Sequence, residues 1–291
     1  MTNDNDRRPT LPVPGTDSRC FDRPGTPGAG RLRYLAGGSG PPLVLLHTVR
    51  TQAEHFRELI ALVQDEYTVH ALDLPGMGHS DIVPGASYDE PAMREAVREF
   101  LLGLGLEDVT LLGESMGAVL ALTVAAELPL HVRRVIAVNP YDYRGGIKRS
   151  SPLARFVFTG VLAPGIGPLL AGVEPRPVMR AILRGGLGRK DALRDDYLDE
   201  LLRVGRRPGY PTVARAVYGN LGSLVAARSR YADVRAPVDL VYGEKDWSRP
   251  SDREANRRML PDASFVELGG AGHFVALERP DVLADLLHLS A

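Results

Sequence analysis

The 291-residue chain contains a single cysteine, Cys20, so it closes no disulfide within itself and offers no multi-cysteine metal site. It has no apolar run close to the ~18 residues that a membrane-spanning helix needs. Neither sign of charge dominates: the net charge is −1, which gives no global signal for nucleic acid or an acidic membrane surface as partner. The N-terminal stretch MTNDNDRRPTLPVPGTD lacks the apolar core of a secretory signal, so the expected location is the cytoplasm. No P-loop, H-E-x-x-H or EF-hand pattern occurs. Gly37-Gly38-Ser39-Gly40 precedes an apolar run instead of opening a helix, which excludes it as a dinucleotide fingerprint. No metal or organic cofactor is therefore expected. The partner expected is a small molecule.

What is present is enough for a sizeable core: 44% of residues are hydrophobic and 24% are charged. Residues 1–16 are polar and proline-rich and are expected to be disordered. The Pro/Gly-rich stretch PGTPGAG then separates two short strand candidates around Arg19–Asp22 and Arg31–Leu35, the pattern of an antiparallel hairpin. Pro42–His47 is a continuous apolar run, as in a strand buried on both faces. The pattern then alternates: helix Gln52–Gln64, strand Tyr67–Leu72, helix Tyr88–Leu102, strand Val109–Leu112, helix Met116–Leu128, strand Arg134–Val138. It resumes with strand Val238–Tyr242, helix Ser251–Leu260, strand Ser264–Leu268 and helix Asp281–Leu289. Alternation of this kind predicts an α/β fold with a mostly parallel sheet covered on both faces.

Residues 140–230 interrupt the alternation with helical pieces (Leu153–Leu162, Val178–Leu183, Ala192–Val204, Thr212–Leu221) and are expected to form a lid inserted into a core of residues 17–139 and 231–291. Between Asn139 and Arg230 there are 16 basic against 7 acidic residues, so this stretch is formally +9 and the remainder −10. Either the lid has a solvated, arginine-rich surface, or its mouth attracts an anionic substrate or an acidic carrier protein.

Gly113-Glu114-Ser115-Met116-Gly117 fits G-x-S-x-G, after an apolar strand and before a helix rich in small residues. Serine is also a favoured helix N-cap, so Ser115 alone does not establish chemistry. A serine hydroxyl needs a base to take its proton, and that base needs an orienting group. His273 lies in the loop Gly269-Gly270-Ala271-Gly272-His273 after the last strand, and Asp246 follows strand Val238–Tyr242 directly. Asp142 and Glu244 compete with Asp246 for the acidic role. The order Ser115, Asp246, His273, each on a loop after a strand, is the order of the α/β-hydrolases.

From about Arg31 to its C-terminus the chain resembles the α/β-hydrolase superfamily, with the lid as that family's variable cap. Asp73-Leu74-Pro75-Gly76-Met77-Gly78-His79-Ser80 is similar to the family's D-x-x-G-x-G-x-S turn, which implies a structural role there and none in catalysis for His79. Where the family usually has His-Gly, this chain has His47-Thr48-Val49-Arg50. By position, the resemblance implies that the N–H groups of Val49 and Met116 form the oxyanion hole. Arg50 is either an anchor for a substrate carboxylate or a member of an ion pair. Dehalogenase-like and epoxide-hydrolase-like members carry aspartate at the elbow, which Ser115 argues against. The implied activity is hydrolysis of a carboxylic ester, lactone or thioester. Carbon–carbon bond hydrolysis of a β-diketone, a carrier-linked thioesterase, and a non-hydrolytic cyclase or ligand receptor remain alternatives.

Overall fold

The computed structural model describes residues 10–26 and 28–289. The expected hairpin is present: β1 (Thr16–Phe21) pairs antiparallel with β2 (Leu32–Gly38). β3 (Pro42–Leu46), β4 (Thr68–Leu72), β5 (Val109–Glu114), β6 (Val132–Val138), β7 (Val238–Gly243) and β8 (Ser264–Leu268) complete one sheet. Its order is β1-β2-β4-β3-β5-β6-β7-β8, with β2 antiparallel to β4 and every later pairing parallel. Parallel strands with helices on both sides are buried on both faces, which is why β3 and β5 consist almost wholly of Leu, Val, Thr and Gly.

The helices in chain order are α1 (Arg57–Val63), α2 (Glu90–Gly103) and α3 (Met116–Glu127), then α4 (Gly146–Ser150), α5 (Pro152–Leu162), α6 (Gly167–Ala171), α7 (Arg176–Gly185), α8 (Asp195–Gly205), α9 (Tyr210–Gly219) and α10 (Leu221–Ala227) between β6 and β7, and finally α11 (Pro250–Met259), α12 (Val275–Glu278) and α13 (Pro280–His288). Their starts follow local chemistry. Asp89 accepts a hydrogen bond from the Ala92 N–H to cap α2, and Ser151 does the same for Ala154 in α5, each with proline in the first turn. Leu59, Ile60 and Val63 of α1 and Leu283 and Leu287 of α13 pack on one face of the sheet. Met93, Val97 and Phe100 of α2 and the residues of α3 pack on the other. α3 is apolar all round and buried all round, as befits a helix enclosed by sheet, α2 and α10.

Two expectations are corrected. The helix placed at Gln52–Gln64 begins as a tight 3-10 turn, Ala53–Phe56, because the Asp73 carboxylate binds the Ala53 N–H at 2.7 Å and holds it out of α1. Of the N-terminal stretch expected to be disordered, residues 1–9 lie outside the described residues, but within 10–16 Leu11 and Val13 are buried. Leu11 joins an apolar cluster with Leu187, Leu193 and Tyr197, Val13 sits under the sheet, and the Thr10 hydroxyl donates to Glu200. Two apolar side chains bracketed by prolines are enough to tie the segment down. Among the described residues, no helix is long and apolar enough to cross a membrane.

Candidate active site

Ser115 stands between β5 and α3 with φ of 59° and ψ of −112°, a backbone conformation costly for any residue with a Cβ. Its neighbours explain how the turn closes. A Cβ on Gly113 would collide with the backbone of Gly117, and one on Gly117 with the Leu46 carbonyl at the end of β3. The Ser115 side chain caps no N–H of α3, so the N-cap explanation of this serine fails. Its hydroxyl instead lies 2.9 Å from Nε2 of His273.

His273 follows β8 and Asp246 follows β7. Nδ1 of His273 and Oδ1 of Asp246 are 2.5 Å apart, with both side chains buried. The second Asp246 oxygen accepts the Ser248 N–H at 2.9 Å. Burial pushes the Asp246 carboxyl up, but the charge and hydrogen bond of His273 and the bonds from Ser248 outweigh it and hold the group below the usual range. The two competing acids are engaged elsewhere. Glu244 accepts the Gly270 N–H. Asp142 accepts from the Tyr231 hydroxyl at 3.0 Å and from the Asn256 amide at 2.7 Å.

Asp142 has its own consequence. Burial raises its carboxyl to about 6, against the Arg228 charge and the hydrogen bonds from Asn256 and Tyr231. The folded state therefore holds this proton more tightly than the unfolded chain, where an aspartate titrates near 3.9. Stability from this group is complete below about pH 4 and is lost as pH rises through about 6. Asp142→Asn should remove that dependence. Relative to the variant, the parent is expected to lose about 3 kcal/mol of unfolding free energy between pH 4 and pH 7, read from urea titrations at each pH.

Opposite Ser115, the loop after β3 is held by His47. Its Nδ1–H donates to the Thr48 carbonyl at 2.8 Å, and its Nε2 accepts the Leu74 N–H at 2.9 Å. Burial lowers the imidazole to about 4, against the Asp73 charge, so His47 is neutral at physiological pH and one tautomer satisfies both bonds. The Thr48 carbonyl also accepts from the Thr51 N–H and hydroxyl. Across a trans peptide the C=O and the next N–H point in opposite directions. With the Thr48 carbonyl pinned on the His47 side, the Val49 N–H is turned away from it, and Val49 lines the same cavity as Ser115 and His273. Met116 opens α3, where the first N–H groups have no partner within the helix.

Several residues that support these groups were not singled out from the sequence. Glu114, the residue before the serine, accepts the Ala276 N–H at 2.9 Å and faces Nε2 of His55 at 2.5 Å. Asn139 (φ 46°) donates to the Gly272 and His273 carbonyls and accepts the Gly243 N–H, joining β6 to the loops of Asp246 and His273. Asn tolerates positive φ, and Asn139-Pro140 after a strand was the available signal. Trp247 stacks on the His273 ring with centroids 3.8 Å apart and planes at 13°. Its indole N–H is buried and has no partner among the described residues.

Above Ser115 and His273 lies a cavity that is partly open to solvent. Its far walls come from the helices between β6 and β7, through side chains such as Val157, Val161, Leu170, Val178 and Ile182. No arginine or lysine of those helices lines it. The one cation at its wall, Arg50, pairs with Glu174 and lies near the rings of Tyr210 and Tyr218. His79 is buried against Glu200 at 3.0 Å, away from the cavity. Among the described residues, no cluster of His, Cys, Asp and Glu is arranged to hold a metal.

Residues 43–286 match the model of the alpha/beta hydrolase family. Haloalkane dehalogenase 2 of Mycobacterium tuberculosis is 28% identical, the alignment covering 92% of each chain. The structure of Cfl2 from Burkholderia cenocepacia superposes with a TM-score of 0.82 at 23% identity, covering 97% of both chains. The epoxide hydrolase CorEH superposes with a TM-score of 0.78 at 22% identity, over 94% of this chain and 97% of that one.

Proposed function

The chain belongs to the alpha/beta hydrolase family, and from that premise we propose that it hydrolyses a carboxylic ester, thioester or lactone of a small, largely apolar molecule through an acyl-enzyme on Ser115. The observation that carries this reading is His273, with one ring nitrogen 2.9 Å from the serine hydroxyl and the other 2.5 Å from Asp246. In the first half-reaction His273 takes the Ser115 proton as Oγ bonds to the carbonyl carbon. It then gives that proton to the leaving group as the acyl-enzyme forms. In the second half-reaction a water molecule gives a proton to His273 as its oxygen bonds to the acyl carbon, and His273 returns that proton to Ser115 Oγ as the carbon–Oγ bond breaks and the acid leaves. Asp246 keeps the imidazole in the required tautomer and stabilises its cationic form. The N–H groups of Val49 and Met116 receive the developing oxyanion. The helices between β6 and β7 act as the cap, and their aliphatic wall favours an uncharged acyl or alcohol portion. A serine at the elbow sets the chain apart from carboxylate-nucleophile chemistry. A neutral alcohol activated by histidine attacks carbonyl carbon, whereas displacement at an alkyl halide or epoxide calls for an anionic nucleophile.

A fluorophosphonate probe tests the nucleophile directly: one adduct on Ser115, absent from the Ser115→Ala variant, is expected. A panel of esters, thioesters, lactones and β-diketones then locates the bond cleaved. Equal turnover of any of them by Ser115→Ala would overturn the reading. For the loop opposite, His47→Phe removes the donor that pins the Thr48 carbonyl. It is expected to lower kcat by about 10- to 100-fold with little change in KM, somewhat less than outright loss of an oxyanion donor. Steady-state kinetics on the best panel substrate checks this.

A further inference from the structure

From Tyr143 to Val173 the sequence contains no aspartate or glutamate, but it contains Arg144, Lys148, Arg149 and Arg155. The net charge of −1 conceals this local excess. Arg149 is committed to Asp252, whereas Arg144, Lys148 and Arg155 make no ion pair among the described residues and are exposed.

The same stretch exposes large apolar side chains. Phe156 on α5 is 78% exposed, Leu169 on α6 is 74%, Val173 is 65% and Ile166 is 58%. α5 packs against α6, and a Cβ on Gly160, one turn beyond Phe156, would stand 3.1 Å from a methyl of Leu170. These side chains therefore form one surface. Leu170 and Val173 belong to it and also line the cavity above Ser115, so the surface meets the wall of the candidate active site. A contiguous exposed apolar patch on a monomer marks a docking surface, and cations beside apolar groups suit the boundary between lipid headgroups and acyl chains.

We propose that the α5–α6 face docks on an anionic lipid surface, from which an acyl ester enters the cavity past Leu170 and Val173. The charge separation between the cap, formally +9, and the rest of the chain, formally −10, turns this face toward such a surface. Docking is a binding property of the face. The identity of the substrate as a lipid ester rests on the acyl-transfer reading given above.

The test uses the full chain carrying Ser115→Ala, so that binding is read without hydrolysis. Vesicles of phosphatidylcholine, with and without phosphatidylglycerol, are sedimented with the protein. Binding is expected to the anionic vesicles and to weaken as salt is raised. Phe156→Ser combined with Leu169→Ser should weaken it by at least about tenfold. Arg155→Glu should also weaken it and flatten the salt dependence. Unchanged thermal unfolding would show that these exposed substitutions leave the fold intact. Failure to bind either vesicle overturns the proposal, as does binding indifferent to the Phe156 and Leu169 substitutions. A concentration-dependent dimer in sedimentation equilibrium that Phe156→Ser dissolves would overturn it in favour of a second copy of the chain. Loss of vesicle binding leaves fluorophosphonate labelling of Ser115 untouched, and loss of labelling leaves vesicle binding untouched.

Discussion

Ser115→Ala should lower kcat by about 10^6-fold, while substrate still binds and the protein still folds. Among the described residues the Ser115 hydroxyl has one hydrogen-bond partner, Nε2 of His273, which lines the cavity, so its removal disturbs that contact and no other support of the fold. On the acyl-transfer reading proposed above, what is lost is the atom that bonds to the carbonyl carbon, and the expected residual rate is that of water attack. The strained backbone at this position offers an independent check. Alanine keeps the Cβ that makes φ of 59° and ψ of −112° costly, whereas glycine is at ease there. Ser115→Gly should therefore be as inactive as Ser115→Ala yet more stable by about 1–3 kcal/mol in urea unfolding. Equal stability of the two would mean that the turn at the elbow carries no strain.

Asp246→Asn is expected to lower kcat by about 10^4-fold, by reversing a hydrogen bond instead of deleting one. The Ser248 N–H donates to one carboxylate oxygen and His273 Nδ1 faces the other. In the asparagine variant, the carbonyl oxygen must stay on the Ser248 side, because an amide NH2 there would face another donor. The NH2 then points at Nδ1, which becomes an acceptor, and the ring proton moves to Nε2. That nitrogen faces the Ser115 hydroxyl at 2.9 Å and can no longer take its proton. Fluorophosphonate labelling of the variant should slow in step with kcat, since both need the same proton transfer. A variant with full labelling rate and low kcat would move the role of Asp246 to deacylation.

The sheet and the three side chains that it brings together, Ser115, Asp246 and His273, were legible in the sequence because each left a local signal. β3 and β5 are apolar runs of strand length, Ser115 sits between glycines that backbone crowding requires, and Asp246 and His273 each follow such a run. Helices α4, α6, α10 and α12 were missed, since four to seven residues are too few for a helical period to show. The support of the site was also illegible. Glu114 contacts Ala276 across 162 positions of sequence, and Asn139 contacts His273 across 134. Pairings at that separation are made by the fold alone. His47-Thr48, which departs from the family's usual His-Gly, is explained only in three dimensions. The carbonyl of Thr48 is held by donors from His47 and Thr51, so the loop does not depend on a glycine for its orientation.

Glu114 gives the site a mechanical character. One of its oxygens binds the amide that follows the His273 loop, and the other faces His55, whose second nitrogen lies 3.0 Å from the Tyr197 hydroxyl on α8. The serine turn and the loop after His273 thus meet at one buried carboxylate, and His55 links it to α8. None of them can fray without breaking the same bonds, so their amides belong to a single cooperative unit of hydrogen exchange. Helices α5 and α6 contribute none of these bonds, so exchange of their amides is expected to be independent of that unit.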